Sequence, residues 1–127
     1  MSHLLRSTPV LVVEKVEPSL AFFEQLGFQK TLDVPHGDGL GFAILEAGTL
    51  QVMLQSTASV TDDMGKEQTN LGRHCALFIE VDNLELAYQS VADYPVFLPR
   101  RKTFYGADEI GVIEPGGHHV TLAQFDR

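Results

Sequence analysis

The sequence predicts an α+β fold built from two copies of one unit, each a strand, a helix and three further strands. Three observations carry this reading. The chain repeats itself: Val13-Glu14-Lys15-Val16-Glu17 aligns with Val81-Asp82-Asn83-Leu84-Glu85 at an offset of 68 residues (81 minus 13), and Glu46-Ala47-Gly48-Thr49 aligns with Pro115-Gly116-Gly117-His118 at an offset of 69 (117 minus 48). Each half carries one segment with helical spacing among short apolar runs of strand length. Glycine-containing turns separate those runs. One copy cannot bury its own sheet face, so the two must pair and enclose a space between them, and function is sought in that space.

The first strand is Thr8-Pro9-Val10-Leu11-Val12-Val13-Glu14, rich in β-branched residues and too short for a helix, with Pro9 near its start. Pro18 suits a first helical turn. Leu20, Phe22, Phe23 and Leu26 then form an apolar stripe that stops at Gly27, which predicts a helix over about 18–26. Strands follow over 28–34, 40–46 and 49–55, with turns at His36-Gly37-Asp38-Gly39 and Ala47-Gly48. These glycines join strands and open no helix, which excludes a dinucleotide loop. Residues 56–70 are polar and read as a linker between halves, or a mobile lid. The second copy starts with a strand over 73–81. Asp82, followed three residues later by Glu85, predicts a cap for a helix over 83–92. Strands over 100–105, 109–114 and 119–125 complete eight strands and two helices.

The 127 residues fit one domain over 1–127, with module one at about 8–55, a linker at about 56–72 and module two at about 73–125. A formal charge of −8, from nine Lys and Arg against seventeen Asp and Glu, argues against nucleic acid as a partner, because phosphate contacts need a basic surface. Arg100-Arg101-Lys102 is the one basic run and reads as a solvated strand end. No apolar stretch approaches a membrane span, so no membrane role is expected. The N-terminus lacks the apolar core of a secretory signal and the single Cys75 allows no internal disulfide, which together point to the cytoplasm.

Several segments together resemble the glyoxalase, bleomycin-resistance and extradiol-dioxygenase proteins, also called the vicinal oxygen chelate superfamily. They are Pro9-Val10-Leu11-Val12-Val13 running into Ser19-Leu20-Ala21-Phe22-Phe23-Glu24-Gln25-Leu26-Gly27-Phe28, then Leu77-Phe78-Ile79-Glu80-Val81-Asp82-Asn83-Leu84, Tyr105-Gly106-Ala107-Asp108-Glu109-Ile110 and Glu114-Pro115-Gly116-Gly117-His118. The resemblance implies paired βαβββ modules whose curved mixed sheets enclose a pocket, commonly in a homodimer. Metal-dependent members set one His, Gln or Glu on the first and last strands of each module. Those positions match Thr8, Gln51, Ala76 and Thr121 here. Only Gln51 is a plausible ligand, so no metal cofactor is expected, and neither extradiol cleavage nor standard glyoxalase chemistry. A shifted divalent site using His74 with His119, Gln51 or Glu80 is the alternative, on the ground that His74 shares the strand face of Ala76. His118 and His119, adjacent on a strand, point to opposite faces, and Cys75 reads as a buried thiol.

Strand alternation sends Thr8, Val10, Val12, Gln51, Met53 and Gln55 to the pocket side in module one. In module two it sends His74, Ala76, Phe78, Glu80, His119, Thr121, Ala123 and Phe125 there. The opposite face is almost purely apolar, as packing against helices requires. Apolar walls with a few hydrogen-bonding groups are the usual form of a small-molecule site. The candidate ligand-binding residues are therefore Phe42, Gln51, Met53, His74, Phe78, Tyr105, His119, Thr121 and Phe125, with Phe42 and Tyr105 as stacking walls. Glu80, Glu109 and His74 are the candidate acid–base groups. Two functions fit. One is a non-catalytic protein that sequesters a small aromatic or cationic molecule, as the metal-free bleomycin-resistance branch of the resembled family does. The other is a lyase or isomerase of the glyoxalase type.

Overall fold

The computed structural model describes residues 2–126. Among them are eight strands and three α-helices, in two four-stranded sheets. Module one runs β1 (Val10–Val13), α1 (Val16–Leu26), β2 (Gln29–His36), β3 (Gly39–Ala47) and β4 (Leu50–Ser56). Module two runs β5 (Ala76–Glu80), α3 (Leu84–Ser90), β6 (Val96–Lys102), β7 (Ala107–Ile113) and β8 (His119–Phe125). Between them stand α2 (Thr57–Met64) and one 3₁₀ turn at Lys66–Gln68.

The sheet orders β1-β4-β3-β2 and β5-β8-β7-β6 are the same permutation. In each, the first strand lies parallel to the last and the remaining pairs are antiparallel, so the helix is the crossover that a parallel pair requires. The repeat is geometric as well as sequential: α1 and α3 begin at 16 and 84, an offset of 68, and β4 and β8 begin at 50 and 119, an offset of 69. The paired turns before β4 and β8 both use a left-handed glycine, Gly48 at φ 60° and Gly117 at φ 96°.

α1 ends where the sequence stops it. Gly27 takes φ 117°, its N–H bonds to the Glu24 carbonyl, and the Phe28 N–H reaches the Phe23 carbonyl at 3.0 Å. The helix presses Phe22 and Phe23 onto the helix-facing side of β1, β3 and β4, where Leu11, Leu45 and Leu54 are fully buried. The same core continues through Leu84, Val112, Val120 and Leu122 of module two, and the Phe22 ring meets Tyr94 edge-on at 4.9 Å. The modules therefore share one core through their helix sides. Their open sheet faces carry the polar and aromatic side chains.

A buried polar junction fixes this packing. Glu114, 1 % exposed, accepts from the Ser19 hydroxyl at 2.6 Å, the Gly116 N–H at 2.8 Å and the His118 N–H at 3.0 Å. His118, fully buried, donates from Nε2 to the Val12 carbonyl at 2.9 Å, so the turn before β8 is bonded to both β1 and α1. Gly116 permits the approach: a Cβ there would stand 2.2 Å from Val13 Cγ1.

Several element boundaries depart from expectation. The 56–70 segment is largely helical, because Ser56 caps it by accepting the Ser59 N–H at 3.1 Å and Val60 buries beneath it. β5 begins at Ala76, so Arg73 and His74 lie outside it. Asn83, in place of Asp82, caps α3 by accepting the Leu86 N–H at 3.1 Å. β6 covers Val96–Lys102 instead of 100–105; Pro99 is tolerated because β6 is an edge strand with a register shift between Leu98 and Arg101.

Candidate functional site

The open face of module one is a ladder of three rows. Val34, Phe42, Gln55 and Val12 stand side by side through the register of β2, β3, β4 and β1. The next row is Leu32, Ile44, Met53 and Val10, and beyond it Glu46 faces Gln51. The α2 segment and the residues after it fold back over the first row and reach Val10 of the second. Beneath them lies a cavity of about 800 Å³ whose walls come from module one and residues 59–72. Apolar walls are supplied by Val12, Phe42, Val60 and Leu71, and the rim carries His36, Asp62 and Asp63. Small ligands are commonly bound in cavities of this size and character.

Polar side-chain contacts hold α2 in place; at its start Thr57 donates to the Val13 carbonyl at 3.2 Å and accepts from Arg73 Nη1 at 3.2 Å. Gln55, 8 % exposed, donates from Nε2 to the Ser59 hydroxyl at 3.1 Å. His36 Nε2 meets the Asp62 carboxylate at 2.6 Å, closing the far side of the roof onto the end of β2. Gly72 completes the segment, its carbonyl accepting the Val12 N–H at 2.8 Å along the outer edge of β1. The backbone there is left-handed at φ 69°, and a Cβ would stand 2.9 Å from the Val10 carbonyl.

Of the residues chosen from sequence, Phe42 lines this cavity. Gln51 and Met53 lie on the same face but do not line the cavity. Thr8 donates its hydroxyl to Gln51 Oε1 at 2.6 Å, so two of the family's metal positions do face one another. Ala76 and Thr121, the other two, lie on adjacent strands of module two. Two hydroxyls, one amide whose oxygen is already bonded and one methyl group do not make a donor set for zinc, iron, nickel or manganese. Among the described residues no group of three His, Cys, Asp or Glu is placed to hold an ion. The shifted alternative loses its premise: His74 stands exposed ahead of β5, and the His119 ring is edge-on to Phe97 at 4.5 Å.

Module two gathers the other sequence-chosen residues on its own open face. Phe78 and Thr121 pair across β5 and β8; Phe125 contacts Phe78 at 6.2 Å and Tyr105 at 6.0 Å between ring centroids. Glu80 and Glu109 flank Ala123 in one cross-strand row, with Arg101 next to Glu109. Glu109 is 1 % exposed: Oε1 accepts from Arg101 Nε at 2.9 Å and Nη2 at 2.8 Å, and Oε2 accepts from the Tyr105 hydroxyl at 2.7 Å. That hydrogen bond to a carboxylate pushes the Tyr105 phenol above its ordinary pKa. The basic run is matched by acids throughout. Arg100 holds Glu85 at 2.8 Å and Asp108 at 3.0 Å, which keeps the Asp108 carboxyl below its usual range.

The residues that sequence reading missed belong to α2 and to His36. The signals were present but short: Ser56 three residues before Ser59, Val60 and Met64 at helical spacing, and Gly65 as a stop.

The chain belongs to the glyoxalase/bleomycin resistance protein/dioxygenase superfamily, whose sequence profile matches residues 2–122. Solved structures agree on the fold. TioX from Micromonospora sp. ML1 superimposes with a TM-score of 0.75 at 15% identity, covering 96% of this chain and 99% of its own. A bleomycin-binding protein complexed with bleomycin gives 0.62 at 20% identity, covering 97% and 100%. A lactoylglutathione lyase from Agrobacterium tumefaciens gives 0.73 at 12% identity, covering 94% and 92%. No curated protein sequence matches the chain.

Proposed function

We propose that the chain is a metal-free, non-catalytic binding protein of the bleomycin-resistance type, which sequesters a small organic molecule in the cytoplasm. The observation that carries this reading is the roofed cavity of module one, apolar inside and acidic at its mouth through Asp62 and Asp63. Its preferred occupant is a planar or aromatic body bearing a positive charge. The rim carboxylates and the net charge of −8 both favour cations, and Phe42 supplies an aromatic wall. A neighbour of the same fold is described as binding bleomycin, and the donor-poor family positions at Thr8, Gln51, Ala76 and Thr121 support a metal-free site.

The working form is a homodimer. Phe78 is 52% exposed, Phe104 fully exposed and Tyr105 41% exposed on the open face of module two, where the rings of Phe78, Phe125, Tyr105 and Phe104 touch in series, exposed apolar surface of the kind that partners cover. A second copy laid against it forms a cleft between modules. The ligand then sits between the cavity of one protomer and the aromatic face of the other.

One observation favours the second reading, a glyoxalase-type lyase or isomerase. Glu109 is a buried carboxylate on an open face beside a tyrosine, which suits acid–base chemistry. Its two oxygens are already held by Arg101 and Tyr105, so the binding reading is preferred.

A thermal-shift screen over cationic aromatics, neutral aromatics and organic acids tests the proposal, because a ligand that binds only the folded state raises the melting temperature by mass action. Cationic aromatics are expected to stabilise the protein, and Asp63→Lys to remove that effect. Stabilisation by organic acids alone, lost on replacing Arg101, would overturn the charge preference. Turnover abolished by Glu109→Gln would overturn the non-catalytic reading.

A further inference from the structure

The roofed cavity is one end of a longer strip. β3 turns Phe42, Ile44 and Glu46 to the same open face, and β4 sets Gln55, Met53 and Gln51 against them. Between the two ends the strip is apolar and open, with Val10 40% exposed and Leu32 46% exposed. Glu46 closes the end remote from α2. It is half-buried, accepts from Gln51 Nε2 at 3.2 Å and more distantly from Thr31, and belongs to none of the ion pairs among the described residues.

At the other end the unmatched groups are also acceptors. Among the described residues Asp63 on the rim has no ion pair, and Asp62 is engaged by His36. Gln55, in the cavity wall, donates its amide nitrogen to Ser59, and its accessible amide oxygen accepts no hydrogen bond among the described residues. A ligand N–H can donate to that amide oxygen. Four residues of extended β3 separate Phe42 from Glu46, about 14 Å at the usual rise per residue. Acceptors thus stand at both ends of an apolar strip of that length, and among the described residues no Lys or Arg forms an ion pair with Asp62, Asp63 or Glu46, the Arg73 guanidinium at the start of α2 being bonded to Thr57.

Resting on the reading of the cavity as a binding site, we infer that its occupant is elongated and doubly cationic: an apolar body with an ammonium or amidinium at each end, one at Asp63 and Gln55 and the other at Glu46. Glu46 is then a specificity-determining residue, selecting ligands by length and by their second charge. A singly charged molecule of the same body fills the cavity but leaves Glu46 unanswered.

Calorimetric titration with α,ω-diamines of graded chain length, each against the monoamine of equal carbon number, decides the matter. Affinity should peak at the diamine that spans about 14 Å and exceed its monoamine by about tenfold. Glu46→Gln, which keeps the acceptor for Gln51, should remove that advantage and leave the monoamine unchanged. Equal binding of diamine and monoamine, or an equal loss of both in Glu46→Gln, would overturn the inference and leave the cavity reading intact. Failure of every amine to bind would overturn the inference, while the cavity reading stands or falls with the cationic aromatics.

Discussion

At the scale of single residues, the strongest constraints are buried polar groups that the sequence pattern does not announce. Glu114 and His118 sit in the Pro-Gly-Gly turn, where Glu and His are ordinarily exposed. Both are buried because the turn packs into module one. Glu114→Ala would strand the Ser19 hydroxyl and two N–H groups, and is expected to cost about 3–5 kcal/mol in denaturant unfolding. Gly116→Ala, whose Cβ would press on Val13, is expected to cost about 1–3 kcal/mol. Tyr105 gives a pH signature. Its raised pKa means that the neutral phenol is stabilised in the folded state by donating to Glu109. The contribution is full below the ordinary tyrosine pKa of 10.0 and is lost as pH rises through the higher folded value. Ultraviolet titration should place Tyr105 above free tyrosine, and Glu109→Gln should bring it down.

At the scale of elements, the strands were legible because their two faces differ so sharply in composition. β8 over 119–125 and the centres of β3 and β4 follow from alternation, while β1 is legible as a short run rich in β-branched residues. The departures have identifiable physical causes. Pro99 and a register shift obscure β6, and Asp82 and Asn83 are equally good caps in sequence. α2 is only eight residues long, with β-branched and aspartate residues that favour helix weakly. The missed helix is the one that roofs the cavity, so the strand residue Phe42 was legible as facing it while Asp62, Asp63 and Ser59 of the roof were not. Ser56→Ala should loosen α2 through loss of its cap, by about 1 kcal/mol. The readout is faster amide exchange across 57–64, with β3 and β4 unaffected. Uniform acceleration through the whole chain would show that α2 is not a separate unit over the site.

At the scale of the whole molecule, the duplication explains both the stability and the opportunity for binding. Each module buries its helix side in the shared core and leaves its other face open, one roofed by its own α2 and the other bare and aromatic. The homodimer should appear in light scattering as twice the monomer mass at micromolar concentration, and replacing Phe104 and Phe78 with serine should shift it to monomer. The family's metal geometry supplies a second whole-molecule test. Ala76→His with Thr121→Glu should create divalent-metal affinity together with Gln51. A folded double variant without metal-dependent heat would mean that these strands are not brought together across the cleft. The central claim, that the roofed cavity is the binding site, is tested most directly by an amide NMR titration with tryptamine, a planar aromatic ammonium. Shifts concentrated at Val12, Phe42, Gln55 and Asp63 are expected. Shifts confined to Phe78, Tyr105 and Phe125, or none at saturating ligand, would contradict it.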